Sequence, residues 1–206
     1  MGVISNGTTL LDAGALDSGI PTGAMTLIKT LTASTSATLD FLNGTSSVVF
    51  DDTYDEYVFK FINIHPQTDA VDFEFQADTG TNTNYNQKIT STAFRATAAE
   101  GDASDVALGY RTSEDQAEGT AFQDLNIGMG NDADQSLNGT LQIFNPASAT
   151  FVKHFIARIQ SPKNNDYHVD MFIAGYFNTT TALTRVRFKM SSGNIDSGTI
   201  KLYGIK

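Results

Sequence analysis

Three histidines, His65, His154 and His168, are the side chains here best suited to move a proton or bind a metal near neutral pH. His65 precedes Pro66, His154 lies inside an alternating run, and His168 stands near the start of another. No two of them have the spacing of a His-Glu-x-x-His helix or of another zinc pair. His154 alternates with Val152 and Ile156, so it reads as a packed or hydrogen-bonded strand residue. The chain has no cysteine, which excludes thiolate metal sites, cysteine nucleophiles and disulfides. A serine triad is assembled only in space, but no Gly-x-Ser-x-Gly elbow is present to suggest one.

Two further motifs fail on their surroundings. Gly128-Met-Gly130-Asn-Asp-Ala133 has the spacing of a dinucleotide fingerprint, yet the acidic Asp132-Ala-Asp-Gln-Ser-Leu-Asn-Gly follows where a helix should begin. Asp132-x-Asp134-x-Ser136 starts like a calcium loop. Leu137 then replaces the turn glycine, and Ile143 stands where the bidentate glutamate belongs. The reading is a solvated acidic loop. No catalytic residue, metal ligand or cofactor is assigned, and the chain is read as non-enzymatic.

The elements that would position any site are strands. Val186, Phe188 and Met190 alternate with Arg185, Arg187 and Lys189, and Ile200 and Leu202 alternate with Thr199, Lys201 and Tyr203. With Ser191 to Gly198 between them as a run of turn formers, Leu183 to Ile205 reads as a β-hairpin. A strand so near the chain end is ordered only by neighbours, which makes the pair central in its sheet. Leu27–Leu31 and Ala37–Phe41 read as a first strand pair, and Asn43-Gly44 as a turn. Tyr57 to Ile64 is apolar on both faces, as in a strand at the centre of a sandwich. Val71, Phe73 and Phe75 alternate with acids and Gln76; further strands follow through Lys88–Arg95, Phe122–Ile127, Leu137–Phe144, Phe151–Gln160 and Tyr167–Tyr176. Residues 98–120 read as a surface excursion. The pattern predicts an all-β fold: an antiparallel β-sandwich, jelly-roll-like, over residues 26–206, with Val58, Phe61, Phe73, Phe75, Phe188, Ile200 and Leu202 inside.

Residues 1–25 differ. They are rich in glycine and have no sustained period, yet Val3, Ile4, Leu10, Leu11, Leu16 and Ile20 are too apolar for a solvated linker. The segment either lines the edge of its own domain or docks on a partner. We read it as an N-terminal attachment arm, with those six side chains as the partner-binding residues.

Charge is unevenly spread. Residues 1–150 carry a net −15 and residues 151–206 a net +5, together −10. Such a chain is a poor match for duplex nucleic acid, so none is expected as a partner. The split is explained by basic C-terminal strands lying beside acidic ones, or by a bipolar molecule that docks neighbours through its charged faces. Met1-Gly-Val-Ile-Ser-Asn has no basic region or long apolar run, and no window is apolar enough for a membrane span, so neither a signal peptide nor membrane insertion is expected.

Several stretches are together similar to a known group. Ile4-Ser-Asn-Gly-Thr-Thr-Leu-Leu-Asp-Ala-Gly14, Asp52-Thr-Tyr-Asp-Glu-Tyr57, Ile64-His-Pro-Gln-Thr-Asp69, and Phe144-Asn-Pro146 with Val152-Lys-His-Phe155 carry part of the likeness. Phe188-Lys-Met-Ser-Ser-Gly-Asn-Ile-Asp-Ser-Gly-Thr-Ile-Lys-Leu-Tyr-Gly204 carries the most specific part. They resemble virion structural proteins of tailed bacteriophages, especially marine and cyanobacterial ones, over nearly the whole chain. The resemblance implies a capsid decoration protein or a tail-fibre knob, localised to the virion and assembled in the host bacterial cytoplasm. It implies other virion proteins (major capsid or tail) as partners, a homo-oligomer, and no catalytic residues. Long fibre shafts need heptads or β-helical repeats, which are absent, so a globular appendage is expected. The competing expectation is a carbohydrate-binding, receptor-recognition module of a tail fibre. There Tyr85, Tyr110, Tyr167 and Tyr176 would stack on a host surface glycan, although at least two of them are expected to cover the core rim instead.

Overall fold

A strand with one apolar face must lay that face against another layer, and from Thr26 onward most strands of this chain have such a face. The computed structural model describes residues 25–206 throughout. Before them it describes the strands β1 (Val3–Ser5), β2 (Thr8–Asp12) and β3 (Ala15–Leu16), with side chains for Val3 and Ile4. The remaining strands are β4 (Thr26–Thr32), β5 (Leu39–Leu42), β6 (Glu56–Pro66), β7 (Phe73–Thr79), β8 (Ile89–Ala99) and β9 (Val106–Tyr110). After these come β10 (Gln123–Asp124), β11 (Leu137–Phe144), β12 (Lys153–Lys163), β13 (Tyr167–Phe177), β14 (Leu183–Met190) and β15 (Ile195–Ile205). No helix occurs among the described residues.

The strands from β4 onward form an antiparallel sandwich. Its large sheet has the order β4-β15-β6-β11-β12-β13-β8-β9, and its small sheet the order β10-β7-β14-β5. Set aside β8, β9, β12 and β13, and eight strands remain. Numbered along the chain, they run first-eighth-third-sixth in one sheet and fifth-fourth-seventh-second in the other. First pairs with eighth, second with seventh, third with sixth and fourth with fifth. That is the winding of a jelly roll, in which one long double strand is folded over on itself. The β8–β9 and β12–β13 excursions both join the same sheet, which they extend well past its small partner.

Phe188 sits at the centre. Its ring lies 5.1 Å from Phe59, 5.3 Å from Phe61 and 5.7 Å from Phe73, with Phe41 and Phe75 just beyond. Phe75 carries the aromatic core outward to Phe155 at 5.1 Å and Phe177 at 5.9 Å, so the inserted strands share it. The seven side chains expected inside are all buried.

Pairing differs from the sequence reading in two places. β14 and β15 are not a hairpin. β14 lies between β7 and β5, and β15 between β4 and β6 in the opposite sheet. β4 and β5 likewise fall in different sheets. A short connection serves equally to turn back within a sheet or to cross the roughly 10 Å to the facing one. Alternation tells which side chains point inward, but not from which sheet. Gly193, in the crossing after β14, has φ +72°, and a Cβ there would meet Thr68 Oγ1 at 2.2 Å. The excursion at 98–120 also contains a strand, β9, and β8 runs on to Ala99.

On β12 the buried face is Lys153, Phe155, Ala157 and Ile159, whereas His154 and Ile156 are exposed. The sequence reading took His154, with Val152 and Ile156, as a packed or hydrogen-bonded face, which puts the wrong side of this strand inward. The cause is Lys153, whose ammonium leaves the core by donating to the carbonyls of Phe151 at 2.7 Å and Thr179 at 3.3 Å.

Candidate functional site

The arm begins with a small meander. β1 pairs with β2, and β2 with β3, which sets Val3 across from Leu11 and Leu11 across from Leu16. None of these strands pairs with either sheet of the sandwich. Val3 is 53% and Ile4 64% exposed. The side chains of Leu10, Leu11 and Leu16, and the whole of Ile20, lie outside the described residues.

Two of the three cations in the basic stripe of β14, Arg187 and Lys189, are neutralised where they stand, whereas Arg185 donates to the Gly80 carbonyl. Arg187 makes a two-pronged bond to Asp40 of β5, at 2.8 and 2.6 Å, and its guanidinium lies 4.0 Å over the ring of Tyr85. Lys189 meets Glu74 of β7 at 2.5 Å and sits over Phe122. Arg187 faces Asp40 and Lys189 faces Glu74 in the strand register. Basic strands therefore lie beside acidic ones, the first of the two explanations of the charge split.

Of the four tyrosines considered for stacking, Tyr85 is buried beneath Arg187. The hydroxyl of Tyr167 donates to Asp105, and that of Tyr110 to Asp115 at 2.6 Å, with Tyr110 exposed on β9. Tyr176 lies 5.7 Å from the His154 ring. These two flank a shallow apolar cleft of about 380 Å³ with Ile156, Ala174 and Thr92, floored by Gly175. A Cβ at Gly175 would meet the Thr90 carbonyl oxygen at 2.6 Å and the Phe155 ring at 2.8 Å, so this floor has to be glycine.

The histidines are not brought together. His154 and His168 stand at opposite ends of the β12–β13 pair, and His65 is on β6. His65 does reach the acidic loop: its Nε2 is 3.2 Å from the Asp132 carbonyl oxygen, and its Nδ1 is 3.9 Å from the Asp196 carboxylate. Among the described residues, no three histidine, aspartate or glutamate side chains converge as a metal site.

One cluster went unseen in the sequence. Asp124 on β10 faces Glu74 on β7, with Asp72 and Glu114 near. Burial first, and then the negative charges of Asp72, Glu74 and Glu114, push the Asp124 carboxyl up to about 7. Burial also raises Asp72, against the Gly128 N–H that donates to it. Asp124 is thus a proton-holding carboxyl near neutral pH. Lys189 binds Glu74. Four acids scattered over fifty residues have no signature spacing, which is why the cluster could not be read beforehand.

No family profile, curated protein or solved structure matches the chain. Its function has to be argued from its own surfaces. Among the described residues, those with apolar character include Val3 and Ile4, the cleft beside Tyr176, and the outer face around β9.

Proposed function

We propose that the chain is a non-enzymatic structural component displayed on the virion of a tailed bacteriophage, as a capsid decoration or tail-associated knob, held by its N-terminal arm to other virion proteins. The observation that carries this reading is the arm. Among the described residues its strands pair only with one another, and its two described apolar side chains, Val3 and Ile4, are exposed. Burying each such side chain on a partner contributes on the order of 1.5–3 kcal/mol before ordering costs, and repeated copies on one platform multiply the effect. The jelly-roll winding supports the reading as analogy, since viral coat domains are among its users. The resemblance of the Phe188–Gly204 stretch to virion structural proteins points the same way.

Deleting residues 2–22 tests it. The truncated chain is expected to keep its fold and nearly all of its melting temperature while failing to join particles of the phage that encodes it. Unfolding of the truncated chain would place the arm in its own sandwich. Normal incorporation would move the docking surface elsewhere, and absence of the full chain from purified particles would end the virion reading.

A second reading, a carbohydrate-binding module of a tail fibre, is favoured by the cleft between His154 and Tyr176, whose aromatic wall and polar rim suit a sugar ring. A glycan array with the wild-type chain and Tyr176→Ala separates the two. Binding lost in the variant supports recognition, and an array without signal removes it.

A further inference from the structure

The sandwich has four sheet edges, and three are protected. β4 carries Lys29 and a register shift against β15; β5 is four residues long and holds the bonded Asp40; β10 is two residues long. β9 is the exception. All five of its residues are exposed, with Val106 at 61%, Leu108 at 77% and Tyr110 at 53%, and it has neither charge, proline nor bulge.

Its backbone is set for one particular partner strand. The Arg111 N–H donates to the Ala93 carbonyl, and the Asp105 carbonyl accepts from the Ala99 N–H, both at 2.9 Å. The odd-numbered residues of β9 therefore face β8, and the even-numbered ones turn their backbone groups to the open edge. The Val106 N–H bends back to Ser104 at 3.2 Å. The N–H groups of Leu108 and Tyr110 and the carbonyls of Val106, Leu108 and Tyr110 remain directed outward.

We propose that two copies of the chain pair through β9, antiparallel about a two-fold axis at Leu108, so that their large sheets become one. In this register Leu108 meets Leu108 of the second copy, Val106 meets Tyr110, and Ala107 meets Gly109. Leu108 exchanges both its bonds with its counterpart, and each Tyr110 N–H finds a Val106 carbonyl. No charge opposes a like charge along the strand, and one step further Asp105 of each copy lies across from Arg111 of the other. The set is self-complementary, as a two-fold interface requires. On the outer face the seam continues into Phe94, which stacks on Phe172 at 4.8 Å, so the apolar surface does not end at the strand. The pairing is independent of where the arm attaches.

Because the chain has no cysteine, single cysteines report the register cleanly. Across the axis the two Leu108 Cα atoms stand about 5.5 Å apart, within disulfide range, while the two Val106 Cα atoms are offset by about 14 Å. Full-length Leu108→Cys should oxidise to a covalent dimer, and Val106→Cys should not. Sedimentation of the full chain at about 50 µM should give a dimer, and Leu108→Lys a folded monomer, since it sets two ammonium groups against each other. A monomer in the unmodified chain, as when the arm itself covers β9, overturns the proposal. So does equal cross-linking of both cysteine variants, or a dimer that survives Leu108→Lys.

Discussion

Phe188 touches five other phenylalanines and belongs to both the jelly roll and its aromatic extension, so its removal leaves a cavity that several rings line. Phe188→Ala is expected to cost about 3–5 kcal/mol in urea unfolding, from lost transfer energy plus the cavity. A cost below about 1 kcal/mol would mean that this ring is not the packing centre. Asp124 gives a pH signature of definite sign. Its folded pKa of about 7 lies above the usual carboxylate value of 3.8. The folded chain therefore binds the proton more tightly than the unfolded one. The stabilisation is complete below the unfolded value, is lost as pH rises toward the folded one, and changes no further above it. Asp124→Asn should flatten the decline in melting temperature between about pH 4 and 7 and leave a variant more stable than wild type at pH 8. An unchanged slope would rule out a raised Asp124. At this scale the sequence was a good guide wherever alternation was clean, as at Val186, Phe188 and Met190. It misled at Lys153, because a long amine can reach backbone carbonyls from an inward position and no pattern of residue types announces that.

Elements were legible in a more limited way. Strands β11 and β13 could be read to within a residue because turn formers bound each one, Ser136 and Asn145-Pro146 around β11 and Asn164-Asn-Asp166 and Asn178 around β13. Partners could not, since a four-residue connection after Met190 is compatible with a hairpin or with a crossing between layers. β9 was hidden because Val106, Leu108 and Tyr110 sit among Asp, Glu and Gly, and a five-residue alternation in such company looks like loop. Gly175 offers a test of how tightly β13 lies against β8. Gly175→Ala pushes a methyl into the Thr90 carbonyl and the Phe155 ring, and should lower stability by about 1–3 kcal/mol through overpacking. A neutral substitution would mean that the two strands stand further apart there than 2.6 Å implies.

For the whole molecule, the winding brings the two ends of the sandwich together. Thr26 pairs with Gly204, in the strands that open and close it. A circular permutant that joins Lys206 to Met25 through a short glycine linker, with new ends in the exposed stretch between Gly101 and Ser104, should fold with a melting temperature within about 5 °C of the original. Loss of cooperative unfolding would show that the order of synthesis, and not only the final contacts, specifies this fold.

That order has a consequence for how the chain is made. β15 is the last strand of the sandwich to emerge during synthesis, yet it lies between β4 and β6 and separates the earliest strand of the sandwich from the third. Until it arrives, both neighbours expose unpaired backbone toward the same vacant slot, and most long-range pairing waits on it. A nascent chain cannot close its sandwich early, and a ribosome that stops before Ile195 releases a product with two open edges and an uncovered phenylalanine core. Such a fragment is open to proteases and aggregation. This strand thus acts as a checkpoint on synthesis: only a chain extended through Ile205 can close the sandwich.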